Sequence, residues 1–257
     1  MNPTLALLDA RCSTRSYAPT PITDAEKAAV LHSAMRAPTA GNMMMYSIID
    51  VADQALKDRL AVTCDDQPFI ARAPWVLVFV ADMQKWIDLF RYSHVEDVAV
   101  AEHRLTPGLG DLMMACSDAL IAAQNAVIAA ESLGIGSCYI GDVLEQAEIH
   151  SELLQLPPHT MPIALLCFGR PATSRPPAPR YEDNVVHENA YCRMTPVELA
   201  AFSEGLVAQG TSRTFPPGIA NIGQLYYKRK HAIEFMADMN RSVAWWLDRW
   251  CSTQEEE

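Results

Sequence analysis

SDALIAAQNAVIAAESLGIGSCYIGD, residues 117–142, is the stretch on which the reading of this chain turns. It continues an apolar run that begins near residue 111, and by length alone that run is long enough to cross a bilayer. Asp111, Asp118, Asn125 and Ser132 recur along it every seven residues, with Ser117, Gln124 and Glu131 beside them. One narrow polar stripe on an otherwise apolar helix predicts burial in protein rather than in lipid. Gly134 predicts a left-handed stop, and SCYIG (137–141) predicts a strand directly after it. The glycines of GIGSCYIG thus follow a helix and precede a strand. A dinucleotide fingerprint needs the opposite polarity, with the helix second so that its N-terminus meets the pyrophosphate. Residues 134–141 therefore read as a helix cap and a strand entry.

Outward from this segment, YSIIDVA (46–52), WVLVFVA (75–81) and MPIALLCFG (161–169) predict three more strands, the last two fully buried. Helices are predicted at 2–10, at 24–37 behind a Thr23/Glu26 capping box, at 53–61, at 111–133 and at 144–154. A single long amphipathic helix is predicted at 222–250, with Leu225, Ile233, Met236, Met239, Val243, Trp246 and Trp250 recurring three or four apart except for a wider step at 225–233. RCSTRSYAPTP (11–21) reads as a polar turn, PTAGN (38–42) as a loop, and RPATSRPPAPR (170–180) as an extended connector. Four strands among helices without strict alternation predict an α+β fold. Residues 1–191 are expected to form the core, and 192–257 a helical arm packed on it or on a second subunit.

Composition narrows the function. Against 20 Lys+Arg stand 31 Asp+Glu, a net charge of −11, which argues against nucleic acid or an anionic membrane as a partner. The seven cysteines are scattered, odd in number and without a C-x-x-C pair, so free thiols in a reducing cytoplasm are expected. The opening MNPTLALLDARCSTR lacks the pattern of a secretory signal. No zinc-type Cys/His spacing, H-E-x-x-H or G-x-S-x-G occurs. A chain with none of these nucleophile or metal signatures is expected to borrow its chemistry from a cofactor.

The most informative local cluster is Arg11-Cys12-Ser13-Thr14-Arg15. Two guanidinium groups and two hydroxyls within five residues suit a bound anion, because Arg presents a planar fork to phosphate. A solvated turn whose arginines meet surface carboxylates explains the same residues equally well.

Taken in order, RCSTRSY (11–17), APTAGN (37–42), CDDQPFIARAPWVLVFVAD (64–82), residues 117–142, MPIALLCFGRP (161–171) and PRYEDNVVHENAY (179–191) resemble the nitroreductase family. The likeness is greatest to its oxygen-insensitive nitroreductases and NADPH–flavin oxidoreductases. That resemblance implies a central mixed or antiparallel sheet surrounded by helices and an intertwined homodimer with FMN at the subunit interface. It implies that Arg11, Ser13 and Arg180 hold the FMN phosphate, with the backbone of Cys12 alongside, and that Arg15 stands near the N1–C2=O edge of the flavin. Pro38, Thr39, Ala40 and Asn42 would line the ring or ribityl chain, and Gln67 would bond the pyrimidine side. Ile140 and Gly141 would offer backbone groups near N5, with Asp142 a neighbour. The implied activity is ping-pong hydride transfer from NADH or NADPH to a small, flat, electron-poor acceptor such as a nitroarene, a quinone or a flavin.

The chain departs from that family at three places. NMMMY (42–46) stands where many relatives have N-x-Q-P-W, and Ala178-Pro179-Arg180 where they often have K-P-R. The basic run Lys228, Arg229 and Lys230 is a candidate substitute for the missing phosphate cation. The C-terminal third matches loosely, which leaves the choice of nicotinamide open. These departures keep other readings alive: an FMN-binding store or sensor without turnover, a specialised member performing dehalogenation, ene reduction or dehydrogenation, and, least favoured, a Rossmann-type dehydrogenase.

Overall fold

The computed structural model describes residues 2–100, 102, 104–173, 176–180, 185–210 and 214–252. In chain order its helices and strands are α1 (Pro3–Ala10), α2 (Asp24–Met35), β1 (Tyr46–Asp50), α3 (Gln54–Thr63), α4 (Pro68–Ala71), β2 (Trp75–Asp82), α5 (Gln84–Tyr92), α6 (Leu109–Ser132), β3 (Gly136–Ile140), α7 (Ala147–Leu153), β4 (Thr160–Gly169), α8 (Pro196–Gln209), α9 (Ile222–Tyr226) and α10 (Glu234–Trp250). The described residues form two compact units, Met1–Pro176 with Asp238–Glu257, and Pro177–Ala237.

The first unit is built on a four-stranded sheet in the order β1-β2-β4-β3, with every pairing antiparallel. The expected α+β fold is present, and its sheet is antiparallel rather than mixed. Strands β2 and β4 lie in the middle, which is why both read as unbroken apolar runs. Their alternate residues serve opposite faces. Trp75, Leu77 and Phe79 point with Leu166 and Phe168 toward one cluster, and Val76, Val78 and Val80 point with Leu165 and Cys167 toward the other. Pro162 cannot donate to the ladder, and the register shifts between Phe79 and Val80 opposite it.

Helices α2 and α6 cover the first face. Helix α6 lays Ala119, Ala122, Ala123, Ala126 and Ala130 against the sheet, and these small side chains let its axis approach closely. The seven-residue polar stripe is not one solvated line. Asp111 caps the helix start through the Gly108 N–H, Asp118 is buried, and Asn125 donates to the Ser33 carbonyl of α2 at 3.2 Å. The exposed side of α6 is instead apolar, with Leu109, Met113, Met114, Leu120 and Ile121. The helix thus has the length and hydropathy of a membrane span but uses one face to build a protein core. The capping box at Thr23 and Glu26 forms as expected, and Gly134 closes α6 with φ 69°.

The other face is covered by α3, α4 and the end of α10. Trp246 and Trp250 are fully buried there, each contributing up to about 4–6 kcal/mol from apolar area. Their indole N–H groups donate to the carbonyls of Leu144 and Gly108, both at 3.1 Å. His159 is buried, which pushes its pKa below the ordinary imidazole value, and its Nδ1 meets the Trp250 carbonyl at 2.8 Å. Arg249 donates to the Leu156 and Pro157 carbonyls.

Two local expectations are corrected. The helix predicted at 222–250 is broken: α9 stops at Tyr226, a π-type turn occupies Tyr227–His231, and α10 starts at Glu234. The Ala232 N–H bonds back to the Tyr227 carbonyl, so the turn holds a residue more than an α-helical one, and the wider apolar step at 225–233 falls on this break. The 11–17 segment is no simple turn either. It runs as an added edge along the sheet, with bridges Ser13–Ser137 (parallel) and Tyr17–Pro171 (antiparallel).

In the second unit, α8 opens with a Thr195/Glu198 capping box and α9 is capped by Asn221. Arg180 is exposed there, its carbonyl accepting from Gln209 Nε2 at 2.8 Å. Residues 181–184 of the PRYEDNVVHENAY motif lie outside the described residues.

Candidate flavin site

Two glycines set the position of the N-terminal cluster. A Cβ on Gly136 would overlap Thr14 Oγ1 and stand 2.8 Å from Thr14 Cβ, and one on Gly169 would overlap Tyr17 and stand 2.9 Å from Pro74 Cδ. Their missing side chains let residues 13–17 lie directly on β3 and the end of β4. The Thr14 N–H donates to the Ser137 carbonyl, Ala18 N–H to Arg170, and Ala172 N–H to Ser16. Arg11, Cys12, Ser13 and Arg15 are thereby fixed at the β3 edge.

A cavity of about 400 Å³ opens there, lined by residues that include Cys12, Ser13, Thr14, Arg15, Ser16 and Glu131. Neither Arg11 nor Arg15 takes part in an ion pair among the described residues. Arg15 lies 5.6 Å over the ring of Phe69, which follows Gln67 by two residues in the chain. Gln67 caps the start of α4, and its side-chain amide donates to the Cys64 carbonyl at 2.8 Å. Glu131 is the opposing charge in the cavity. Burial pushes its carboxyl above the ordinary value, and the Ser137 hydroxyl, donating at 3.2 Å, works the other way together with nearby Arg11. At the end of β3, Ile140 is buried, Gly141 is exposed and Asp142 opens a short 3-10 turn. A Cβ at Gly141 would meet nothing within 4 Å, so the chain leaves that side open. Two cations, a hydroxyl and a cavity fit an anionic nucleotide head.

The other expected contacts are elsewhere. Pro38, Thr39, Ala40 and Asn42 precede β1, on the opposite edge of the sheet. Pro38, Thr39 and Ala40, but not Asn42, border a second, open pocket of about 410 Å³ with Met113, Met114, Ser117, Asp118 and Ile121. Three strand spacings separate the two edges, about 14 Å. Along α6, Ser117 and Glu131 are about 21 Å apart at 1.5 Å per residue. One chain therefore does not gather both halves of the expected site.

A residue that sequence reasoning missed joins the second half. Asp118, 3% exposed, accepts from the backbone N–H groups of Ala40 (3.0 Å) and Met45 (3.1 Å) and from the Thr39 hydroxyl. Its only signal in the sequence is a carboxylate within an alanine-rich helix.

The Nitroreductase family model matches residues 8–170, the segment that carries the sheet, the N-terminal cluster and α6. The chain belongs to the nitroreductase family. Among its relatives, the oxygen-insensitive NADPH nitroreductase of Salmonella typhimurium is 33% identical over 207 residues, 80% of this chain and 82% of that one. The FMN reductase (NADPH) of Bacillus subtilis is 34% identical over 74% of this chain and 75% of its own. The family likeness extends to three dimensions: the structure of NfrA1 from B. megaterium superposes with a TM-score of 0.81 at 28% identity, over 95% of this chain and 98% of that one.

Proposed function

We propose that this protein is an FMN-dependent NAD(P)H oxidoreductase that works as a homodimer in the cytoplasm and passes two electrons to a flat, electron-poor acceptor. The observation that carries this reading is Arg15 beside Ser13 in a cavity with Arg11 close by in the chain, neither arginine in an ion pair among the described residues, on a chain with a net charge of −11. Relatives whose names include FMN or NADPH support it. Bound FMN would supply the redox chemistry, taking up a hydride equivalent from the nicotinamide and giving it to the acceptor.

The chain's own part is grip, orientation and charge. Arg11, Ser13 and the Cys12 backbone would hold the phosphate, with Arg180 as a second cation. Arg15 would offset negative charge on the ring, held in place by its contact with Phe69. Gln67, Ile140, Gly141 and Asp142 would border the ring from the same side of the molecule. Pro38, Thr39, Ala40 and Asn42 would come from the second copy, because within one chain they stand at the other sheet edge. The exposed apolar side of α6 gives that copy a surface to bury. Residues 1–191 are read as the flavin-binding core and 192–257 as a helical arm. The free thiols of the described residues accord with a reducing compartment.

The test is the visible spectrum of the purified protein before and after anaerobic NADH or NADPH. A flavin spectrum that bleaches is expected. A colourless protein that takes up no FMN overturns the reading, and bound flavin that neither donor bleaches makes it a store or sensor instead. Replacing Arg11 and Arg180 together with alanine is expected to weaken FMN binding at least about tenfold, measured by flavin fluorescence.

A further inference from the structure

The loop before β1 is held in a conformation that its residues do not prefer. Gly41, Asn42 and Met44 all have left-handed backbone, with φ of 56°, 58° and 49°. Two of them carry side chains, and L-residues adopt this region at a cost unless neighbours enforce it. Here the enforcement is visible. Asp118 Oδ1 accepts from the Ala40 N–H, and its Oδ2 accepts from the Met45 N–H and the Thr39 hydroxyl. Thr39 Oγ1 in turn accepts from the Met44 N–H at 2.9 Å. From the side, the Trp86 indole donates to the Met43 carbonyl at 2.9 Å, and Lys85 Nζ to the Tyr46 carbonyl at 2.6 Å.

The chemistry at the centre of this cage is specific. Two backbone N–H groups and a hydroxyl converge on one buried side chain, and only an acceptor on both atoms satisfies all three. An amide of the same shape would turn a donor toward a donor. Asp118 also belongs to the turn of α6 whose Met114 and Ile121 border the open pocket with Pro38, Thr39 and Ala40. The same stretch of helix thus fixes the loop and forms the wall beside it.

We propose that Asp118 is a positioning residue: through Thr39, Ala40 and Met45 it locks residues 39–45, with Gly41, Asn42 and Met44 left-handed, in the form in which the loop meets the flavin. This rests on the reading that residues 38–42 line FMN. The role is separate from phosphate grip, which lies at the other sheet edge.

The experiment compares wild type, Asp118→Asn, Thr39→Val and Thr39→Ser by FMN affinity of the apoprotein, visible circular dichroism of the bound flavin, and thermal midpoint. Asp118→Asn and Thr39→Val are expected to weaken FMN binding at least about tenfold and to change the flavin dichroism, while Thr39→Ser, which keeps the hydroxyl, restores both. If Asp118→Asn does not fold, the two Thr39 variants decide by the same readouts. Variants that lose thermal stability yet bind FMN with wild-type affinity and dichroism overturn the proposal and leave the flavin assignment standing. A wild-type protein that takes up no FMN overturns both.

Discussion

The two edges of the sheet position their polar groups by opposite means. At the β3 edge, the segment bearing Arg11 and Arg15 is set by absence: Gly136 and Gly169 have no Cβ, so residues 13–17 settle directly on the sheet with none of them left-handed. At the β1 edge, residues 39–45 are set by a buried carboxylate and three left-handed residues. The first edge is expected to be sensitive to added volume at Gly136 and Gly169. The second tolerates exposed changes but depends on hydrogen-bond polarity. The proposed site, assembled from both kinds of edge, would fail in two distinguishable ways.

The sharpest way to break the contrast is volume at the first edge. Gly136→Ala and Gly169→Ala are each expected to cost about 1–3 kcal/mol, or roughly 2–12 °C in Tm, and to reduce FMN binding, because Thr14 and Tyr17 must move with the segment they anchor. Calorimetry with and without FMN checks this, and wild-type values for both variants would show that the close approach is not needed.

A smaller effect is electrostatic. Glu26 donates nothing but accepts from Thr23 and Arg170, and those partners hold its carboxyl below its ordinary value of 4.5. Arg170 is the residue whose carbonyl receives the Ala18 N–H, so this pair secures the same edge. A depressed carboxyl contributes stability that is fully present above pH 4.5 and is lost as pH falls through the lowered value. Since Glu26 stands at the surface, the loss is shallow. Thermal melts across that acid range should show Glu26→Gln flattening part of the wild-type decline.

The smallest effect belongs to the second edge. Asn42→Gly removes the Cβ from a residue at φ 58° and is expected to leave Tm unchanged or raise it by a few tenths of a kcal/mol's worth. A clear fall in Tm would mean that the Asn42 side chain contributes contacts beyond its backbone.

These edges also explain what sequence could and could not reveal. Strands β2 and β4 were legible because central strands are apolar on both faces, and the refusal of a dinucleotide loop at 134–141 was legible because polarity along the chain is a local property. The cap at Gly134 followed from the same reasoning. The edge role of residues 11–17 was hidden, since it depends on pairing with Ser137 and Pro171 far along the chain. Gly136 reads as part of a strand entry, and its vacancy acquires meaning only when Thr14 is seen to fill it. In the sequence Asp118 reads as one member of a polar stripe, and its donors lie more than 70 residues earlier. The break inside 222–250 left one trace, the wide apolar step at 225–233, which periodicity alone bridges too readily.

Trp246 and Trp250 close the core from the last helix, between the carbonyls of Leu144 and Gly108. During synthesis the sheet strands leave the ribosome well before those two indoles do, so part of one face of the nascent sheet stays uncapped until α10 has emerged. The fold consequently depends on α10 to end a vulnerable interval, and removing the turn that carries Trp250 should harm yield in the cell more than its modest length suggests.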